Sequence, residues 1–498
     1  MDYLDPLARR KHLMRLYTGY VLVAIAIMLA AFILLMIAYG FGLGKNGEVI
    51  QSGLLFTSSQ PKGADIYIDG VKNSKKTNAR FNLPEATYSV QLKRAGYRTW
   101  QRTIAVHGGR VIRYDYPFLF PATLQTSTVK TYPNTAGAST LATVSPDNRW
   151  LVVQPTPTAA SFELYDLKTT PLKPVTLTLP ASLYTAGGHQ AWQSVSWADD
   201  KTHVLLKHSY GKTGTFEYIL LDRSDITKSV NLSRTFGVTP TTLKFIDSKY
   251  DQYYLYNATE HTLQRATLKN PVPVAVADDV LTYDSYQDDT VLYVTPSPSD
   301  KKLVEVRLLQ GDETHVIKQL PAGTTYQVAI TSYSGDLYLA AAAHSQNVVY
   351  IYKNPVAQLD NADLGVAVPA ATLRIKAPNF LSFSVGGRIV VAENGTTFAT
   401  YDNEYKSIYH YTTSKPLDAG QIHATWMDGA RLQYVSKGQL YVFDFDGRNP
   451  QLLMPALRND LVFYDSGFKH AYTLTPPKDG KAGALALTST WLLTPADQ

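Results

Sequence analysis

The paired carboxylates of this 498-residue chain are the side chains whose type and spacing come nearest to catalysis. Two neighbouring acids can supply acid and base for glycoside chemistry, and such pairs occur at Asp199-Asp200, Asp278-Asp279 and Asp288-Asp289. Two of the pairs fall in or beside short turns that recur along the chain. We therefore interpret them as solvated turn residues whose carboxylates satisfy local backbone N–H groups.

A calcium loop is a second candidate, because Asp444-Phe445-Asp446-Gly447 places two carboxylates and a glycine in a short run. The run lacks the third acidic or amide residue and the distal Glu of an EF-hand, so a hairpin turn is the favoured interpretation. The eleven histidines show no metal-binding spacing. His203, His208 and His315 lie in strand-like runs, which predicts packing or surface roles.

Aromatic and amide residues offer two further possibilities. Four tryptophans could stack on sugars, although two of them hold a recurring position that favours core packing: Trp192, Trp197, Trp426 and Trp491. Three sequons would matter in a glycosylating secretory pathway: Asn231, Asn257 and Asn394. The chain has no cysteine, no Gly-x-Ser-x-Gly elbow and no Gly-rich phosphate loop. We therefore assign no catalytic residue, no cofactor-binding residue and no metal ligand.

The elements that carry these residues begin with a membrane-type segment. The uncharged run Thr18 to Gly44 is longer than the roughly 7 to 15 apolar residues of a signal peptide and can cross a bilayer as a helix of about 20 residues. It predicts a transmembrane helix over 18–44 that contacts membrane lipid. Four basic residues precede it, which places residues 1–17 in the cytoplasm and the chain from about residue 45 outside: Arg9, Arg10, Lys11 and Arg15.

The overall charge argues against nucleic acid as a partner. Lys plus Arg exceed Asp plus Glu by six, and two charges of this surplus come from the first sixteen residues. The rest is expected to be spread thinly, without a dominant basic patch.

Short alternating strands follow the apolar run. Ala64, Ile66 and Ile68 alternate with polar positions, and Asp69-Gly70 is a tight-turn signal. The stretch 83–100, LPEATYSVQLKRAGYRTW, predicts two strands with a turn at Gly96-Tyr97, and TWQRTIAV and RVIRYDYPF form a further pair joined by Gly108-Gly109. About six strands in roughly 70 residues predict a small β-sandwich.

These residues carry a family resemblance. Residues 59–64 (SQPKGA), 66–70 (IYIDG), 83–86 (LPEA) and Gly96-Tyr97 resemble the PEGA domain over about residues 52–120. The chain departs from the family pattern where Lys75-Lys76-Thr77-Asn78 keeps only the Thr of Gly-x-Thr-Pro, and where Ala86 replaces the glycine of the naming tetrapeptide. The resemblance implies a surface or envelope setting and no catalytic residues.

Residues 121–498 repeat. An aromatic or apolar residue, a polar turn and an apolar strand recur at intervals near 45 residues, the period of a four-stranded propeller blade. The aligned positions are Val144, Trp197, Phe245, Tyr286, Tyr333, Phe383, Trp426 and Tyr464. Eight repeats predict eight blades, with seven as the alternative, and they resemble TolB-type and WD-like propellers. The last repeat has three strands, and Leu124 to Tyr132 can supply the fourth and close the ring.

The predicted protein is therefore all-β apart from one transmembrane helix. We expect a membrane-anchored, extracytoplasmic binding or scaffolding protein of the cell envelope, with a protein or cell-wall partner on the propeller and no enzymatic activity. The alternative is a hydrolase or lyase that acts on wall or surface glycans at the propeller mouth. A third possibility is that the PEGA-like sandwich acts mainly as a spacer.

Overall fold

The structure, a computed structural model, describes residues 6–38, 40–43, 49–132, 141–360, 367–418, 423–477 and 483–498. The chain divides into two compact units, Met1–Thr123 with Leu493–Gln498, and Leu124–Leu492. The second unit is called the propeller unit below.

Helix α1 (Pro6–Ala38) is the one helix within the described ranges that is long and apolar enough to cross a membrane. Its apolar span is Arg10–Ile37, with a mean hydropathy of 3.0 and no buried residues. The predicted bounds of 18–44 need correction. The helix begins earlier because the basic and apolar residues before Thr18 are good helix formers, and it ends earlier because Gly40 adopts a φ of +78°. Residues 1–5, 39 and 44 of the predicted tail and helix lie outside the described residues.

The first unit contains a β-sandwich of two four-stranded sheets. In the first sheet the central strand β2 pairs antiparallel with β1 and β5 and parallel with β8. The second sheet has the order β4-β3-β6-β7 and is antiparallel. The strands are β1 (Phe41–Leu43), β2 (Val49–Thr57), β3 (Asp65–Ile68), β4 (Val71–Lys76), β5 (Ala79–Pro84), β6 (Ala86–Lys93), β7 (Trp100–Val106) and β8 (Val111–Tyr114).

The alternation predicted from the sequence produces the core of this sandwich. Leu55, Ile66, Val90 and Leu92 are fully buried, and Trp100 packs against them. The predicted pairing of TWQRTIAV with RVIRYDYPF is wrong, because β7 and β8 belong to different sheets and the Gly108-Gly109 turn passes between them. β8 instead adds to β2, where Ile112 lies opposite Leu55 and packs against the same core.

The described part of the propeller unit forms eight four-stranded antiparallel sheets, numbered here in chain order. Sheets 1 to 4 comprise β10 (Ala142–Val144), β11 (Trp150–Val153), β12 (Ser161–Asp166) and β13 (Val175–Thr178); β14 (Gln190–Trp197), β15 (His203–Tyr210), β16 (Phe216–Asp222) and β17 (Val230–Asn231); β18 (Thr242–Ile246), β19 (Lys249–Asn257), β20 (Thr262–Thr267) and β21 (Val274–Ala277); and β22 (Thr282–Tyr286), β23 (Thr290–Pro296), β24 (Leu303–Gln310) and β25 (Glu313–Pro321).

Sheets 5 to 8 continue the same order. They comprise β26 (Tyr326–Tyr333), β27 (Asp336–Ala343), β28 (Val348–Lys353) and β29 (Ala371–Arg374); β30 (Phe380–Phe383), β31 (Ile389–Asn394), β32 (Thr397–Asp402) and β33 (Ser407–Thr412); β34 (Thr425–Trp426), β35 (Arg431–Ser436), β36 (Gln439–Asp444) and β37 (Gln451–Pro455); and β38 (Val462–Tyr464), β39 (His470–Thr475), β40 (Leu485–Trp491) and β9 (Gln125–Tyr132). Two short helices, α2 (Leu232–Phe236) and α3 (Pro355–Leu359), lie in connections, and 3-10 turns occupy Ile226–Lys228, Asn459–Leu461 and Pro495–Asp497.

Each sheet buries its faces against its neighbours. The apolar clusters of this unit combine residues of consecutive sheets, as in the cluster that joins Phe162 of sheet 1 to Trp192 of sheet 2. Another cluster joins Leu151 of sheet 1 to Phe463 and Leu487 of sheet 8, so the last sheet packs on the first. The sheets therefore form a closed ring, a β-propeller.

The sequence repeats correspond to these sheets one for one. Seven of the eight aligned positions are the last residue of the first strand in their sheet, and Phe245 is the last but one. The predicted role of residues 124–132 is confirmed, because β9 pairs with β40 as the fourth strand of sheet 8. This strand from the start of the unit removes the open edge that sheet 8 would otherwise have.

Candidate functional site

The first strands of sheets 3 to 6 surround a cavity of about 470 Å³, here called the inner-strand pocket. First strands of consecutive sheets contact one another, as β22 contacts β26 and β26 contacts β30. They therefore line the axis of the ring, where propellers have their central channel. The lining residues come from β18, β22, β26 and from β30 with the residue after it: Lys244, Thr282, Tyr283, Asp284, Gln327, Val328, Ala329, Ile330, Thr331, Leu381, Ser382, Phe383 and Ser384.

Strand alternation places the charged groups of this pocket. Leu243 and Phe245 are buried between sheets, so Lys244 lies on the opposite face of β18, where it lines the pocket. Tyr283 is likewise buried, and the next residue, Asp284, lies on the opposite face of β22 and also lines the pocket. The side chains of Lys244 and Asp284 remain 45% and 32% exposed, which leaves both accessible from the pocket.

Asp284 connects three sheets. Its Oδ1 lies 3.7 Å from Lys244 Nζ of sheet 3, and its Oδ2 accepts a hydrogen bond of 3.2 Å from the backbone N–H of Ile330 in sheet 5. Burial raises the pKa of Asp284 above its ordinary value, although the Lys244 ammonium and the Ile330 N–H oppose this shift. The pocket therefore presents the half-exposed Lys244 ammonium beside the Asp284 carboxylate, which already contacts Lys244 and the Ile330 N–H. Hydroxyl and amide groups around them can hydrogen-bond to a polar ligand.

The two tryptophans at the recurring position of the repeats pack in their sheets and also hydrogen-bond to the neighbouring sheets. Trp197 is buried and donates its indole N–H to Thr143 Oγ1 of sheet 1 at 3.0 Å. Trp426 is half-buried and donates to Ser382 Oγ of sheet 6 at 3.0 Å. The prediction of core packing is thus confirmed for both, and their N–H groups also bond neighbouring inner strands. Trp491 is half-buried with its ring 3.8 Å from that of His470.

Trp192 belongs to a buried polar cluster in sheet 2. Its ring is fully buried and stacks on His208 at 4.0 Å. His208 Nδ1 lies 3.0 Å from Glu217 Oε1, and this carboxylate also accepts hydrogen bonds from Thr185 and Asn231. Burial acts to raise the pKa of Glu217, but the hydrogen bonds outweigh it and lower the pKa to about 2. The hydrogen bonds satisfy His208 Nδ1 and the Glu217 carboxylate, as in a structural network.

A second buried acid, Glu393 in β31, is poorly satisfied. Its Oε2 accepts a hydrogen bond of 2.9 Å from the Ala424 N–H, whereas Oε1 has no partner among the described residues. Burial raises the pKa of Glu393 to about 8, with a smaller opposing effect of the Ala424 N–H. The carboxyl group is therefore mostly protonated at neutral pH.

Two of the acidic pairs, Asp199-Asp200 and Asp288-Asp289, occupy turns, and Asp278-Asp279 lies in a bend between β21 and β22. Asp200 Oδ1 accepts hydrogen bonds from the N–H groups of Thr202 and His203 in the first turn of sheet 2. The pairs Asp278-Asp279 and Asp288-Asp289 lie at opposite ends of the five-residue strand β22, which spans about 17 Å. This span exceeds the roughly 6.5 to 9.5 Å between the carboxyl groups of an inverting glycosidase.

The remaining predicted candidates are in structural positions. Asp444 to Gly447 forms the turn after β36, with the Gly447 N–H donating to the Asp444 carbonyl at 2.8 Å. His203 contacts Asp200 and Asp222, and His315 is half-buried beside Glu313. The sequon residue Asn231 is buried and caps α2. Asn257 and Asn394 are half-buried; Asn257 accepts from the Thr259 N–H, and Asn394 donates to the Lys376 carbonyl. No group of three or more metal-ligating side chains occurs within the described ranges.

Sequence reasoning missed the residues that the structure brings together in the pocket. Lys244 and Asp284 are forty positions apart. Lys244 is a single charge between the buried Leu243 and Phe245, and Asp284 directly follows the buried Tyr283. A charge next to a core residue in the first strand of a repeat is the available sequence signal. Glu393 shows the same kind of signal after the apolar run IVVA.

Comparison with known proteins bears on each part of the chain. No curated protein is similar enough to this chain to count as a match. Similar solved structures include Kluyveromyces lactis Hsv2, with 11% identity, 64% of this chain and 98% of that chain covered, and a TM-score of 0.38. The β-propeller domain of Myceliophteria thermophila Cps50 (Swd1) has 13% identity, covers 74% and 100%, and has a TM-score of 0.37. An oligogalacturonate lyase in complex with manganese has 11% identity, covers 74% and 99%, and has a TM-score of 0.39.

Structural similarity at such low sequence identity and TM-score gives no information on function. The small sandwich is identified more firmly, since the family model described as the PEGA domain matches residues 52–119. Residues 52–119 of this chain are a PEGA domain.

Proposed function

We propose that this chain is a single-pass membrane protein whose propeller unit binds a protein or cell-wall partner outside the cytoplasm. Helix α1 supplies the candidate membrane span. The basic residues before Thr18 favour an N-terminus in the cytoplasm, which puts the PEGA domain and the propeller unit on the other side. The PEGA domain supports this placement, because the resemblance implies a surface or envelope setting.

The inner-strand pocket carries the proposal. It is open and polar, and it presents the Lys244 ammonium together with hydroxyl and amide groups from three further sheets. A few well-placed polar groups on a rigid ring are suited to orienting one extended partner segment or glycan. We propose binding without turnover, since the one carboxylate of the pocket lining is engaged by Lys244 and by the Ile330 N–H.

Affinity capture tests this function in the intact chain. The tagged full-length protein is purified from detergent-solubilised membranes of its host, and the retained protein or wall material is quantified. We expect a stable partner whose affinity falls at least about fivefold in Lys244→Ala, the loss of about 1 kcal/mol that marks an interface residue. Lys249→Ala is the matched control, because Lys249 pairs with Asp288 in a turn of sheet 4 and does not line the pocket.

Two outcomes would contradict the proposal. Equal recovery from wild type, Lys244→Ala and Lys249→Ala would show that the pocket is not the binding site. Release of product from a polysaccharide panel, abolished by Asp284→Asn, would replace binding by the glycan-cleaving alternative.

A further inference from the structure

The basic charge of this protein is concentrated in the PEGA domain. Residues 52–120 contain eleven Lys and Arg against four Asp and Glu, a net charge of +7, whereas the whole chain carries +6. The expectation of a thinly spread surplus is therefore wrong, because the rest of the chain sums to −1. So large a charge on so small a domain indicates an anionic partner.

Hydrogen bonds link the end of the candidate membrane helix to the start of the PEGA domain. The Gly40 N–H donates to the Ile37 carbonyl at 3.0 Å, and the Gly40 carbonyl accepts from the Ser52 N–H of β2 at 2.7 Å. A Cβ atom at position 40 would lie 2.9 Å from the Ser52 carbonyl oxygen, so this junction needs glycine. The Ser52 end of β2 is thus held at the membrane end of the domain.

The outer face of the first sheet changes character with distance from that end. Core residues such as Leu55 point inward, so Leu54, Phe56 and Ser58 lie on the outer face. Leu54 and Phe56 have cross-strand neighbours on β5 and β8. Ser58 follows β2, and the same register places it beside Asn78, just before β5, and Asp115, just after β8. The successive rows are Asn82–Leu54–Val111, then Arg80–Phe56–Arg113, then Asn78–Ser58–Asp115.

This order is that of a membrane-interface surface. The first row is partly apolar, with Val111 47% exposed, and the second row has an arginine on each side of Phe56. The Arg113 guanidinium lies 4.8 Å from the Phe56 ring centroid, and Arg80 is exposed. A groove of about 490 Å³ runs along the second and third rows, which also contain the acidic Asp115.

The outer face of the second sheet also carries basic residues. There Asp65 pairs with Lys72 at 2.8 Å and with Lys76 at 3.7 Å, so its lysines are partly neutralised. Lys93 lies over the ring of Tyr67 at 4.5 Å. The two faces of one small domain therefore provide matched basic residues for a comparison.

We propose that Arg80, Phe56 and Arg113 bind the phosphate headgroups of anionic lipids in the leaflet around the end of α1. This inference rests on the membrane anchoring in the proposed function and adds a second binding surface, separate from the inner-strand pocket. Arginine suits a phosphate group because its planar guanidinium donates two parallel hydrogen bonds. Phe56 and Leu54 add apolar contact at the level where acyl chains meet headgroups.

The distances permit this contact. Phe56 is four residues beyond Ser52, which places its row at most about 13 Å from the membrane end of the strand. The headgroup layer is roughly 6 Å thick on each side of the hydrocarbon, and charges act over a Debye length of about 8 Å at physiological salt. The arginines therefore lie within a Debye length of the headgroup layer even when the strand is upright, and a tilted strand brings Phe56 and the arginines into contact with the headgroups.

A quenching experiment on the full-length chain tests the contact. The chain has no cysteine, so Asn82→Cys, exposed on this face, accepts a single fluorophore. The labelled protein is reconstituted in nanodiscs of phosphatidylcholine with or without phosphatidylglycerol, each containing a headgroup spin-labelled lipid. We expect stronger quenching with phosphatidylglycerol, and loss of this difference in 0.5 M salt.

Two charge-matched variants decide the assignment. The double variant Arg80→Gln/Arg113→Gln should lower the lipid-dependent quenching at least about fivefold, since one basic residue at an anionic surface contributes about 1 kcal/mol. Lys72→Gln/Lys93→Gln removes the same charge from the second sheet and should leave the quenching unchanged. An equal loss in both variants, or no dependence on phosphatidylglycerol, would overturn the proposal.

Two added measurements separate this proposal from its neighbours. In the first, soluble polyphosphate is added to the protein in phosphatidylcholine discs. Polyphosphate binding that requires Arg80 and Arg113, together with no response to phosphatidylglycerol, would assign this face to a soluble polyanion and refute lipid binding. Extraction of the chain from membranes by alkaline carbonate would refute the anchor itself and this proposal with it. Retention in the membrane without lipid-dependent quenching would refute only the lipid contact.

Discussion

Glu393 is a buried acid of the propeller unit whose pKa lies well above its ordinary value. It is 0% exposed, and its pKa of about 8 compares with an ordinary value of 4.5. A group whose pKa rises on folding keeps a proton that the unfolded chain releases. Stability is then complete below about pH 4.5 and declines as the pH rises toward 8, by up to about 1.4 kcal/mol per pH unit.

Glu393→Gln should remove this pH dependence, because the amide keeps an acceptor for the Ala424 N–H and carries no ionisable proton. We expect the variant and wild type to unfold at similar urea concentrations at pH 5, and the variant to be more stable by about 2 kcal/mol or more at pH 8. Glu313→Gln, at a side chain that is 83% exposed, is the control and should change neither value. The prediction fails if wild type and Glu393→Gln lose stability equally between pH 5 and pH 8.

Many acidic residues of the propeller unit lie at the turns between strands, where they pair with basic residues. Among the described residues, four sheets have a contact between oppositely charged or His–Asp side chains that joins the start of the second strand to the end of the third strand: Arg149–Asp166, His203–Asp222, Asp336–Lys353 and Arg388–Asp402. The third pair reverses the order of acid and base, so either order is compatible with this position. This repeated contact holds two turns of each of these sheets together.

Asp402→Ala tests the contribution of such a pair. Asp402 is fully buried, accepts two hydrogen bonds from Arg388 and also accepts from the N–H groups of Glu404 and Tyr405. Removing it leaves these donors without their acceptor, and we expect a loss of about 3 to 5 kcal/mol in the free energy of unfolding.

Asp288→Ala is the comparison, because Asp288 is 56% exposed and pairs with Lys249 at 2.6 Å. An exposed pair contributes less than about 1 kcal/mol, so this variant should be nearly neutral in the same urea titration. Similar losses in the two variants would contradict the structural importance assigned to the buried pair.

At the scale of the whole molecule, the chain returns to its first unit after completing the propeller. Leu493–Gln498 belongs to the unit that contains the PEGA domain. Asp497 Oδ2 accepts a hydrogen bond of 2.7 Å from the Tyr97 hydroxyl, Asp497 also pairs with Arg94, and the Thr494 N–H donates to the Tyr97 hydroxyl at 3.0 Å. The turn between β6 and β7 therefore depends on residues 400 positions away.

Asp497→Ala should loosen that turn. Loss of these hydrogen bonds is expected to destabilise the first unit by about 1 to 2 kcal/mol and to speed amide hydrogen exchange at residues 94–98, without changing exchange in sheets 1 to 7. Gln498→Ala, at an exposed position, should have no effect. Unchanged exchange at residues 94–98 in Asp497→Ala would show that the terminal segment does not stabilise the turn.

The sequence by itself determined the local features of this protein. Period-two alternation identified the strands, the interval near 45 residues identified the repeated sheets, and the aligned aromatic positions such as Trp197 and Tyr464 mark the ends of first strands. The PEGA residues identified the small domain. These features are readable because burial of every second side chain and the chemistry of a tight turn depend on neighbours within a few positions.

Only the tertiary structure decided which residues meet. Strand signals could not assign β7 and β8 to different sheets, bring Lys244 beside Asp284, or place Arg80 and Arg113 on either side of Phe56. The raised pKa of Glu393 likewise depends on burial in the complete fold, which the hydrogen bond from the distant Ala424 N–H only partly opposes. The physical reason is that sheet order and register minimise exposed apolar area over the whole chain, so contacts between distant strands follow from the complete fold and not from any local pattern.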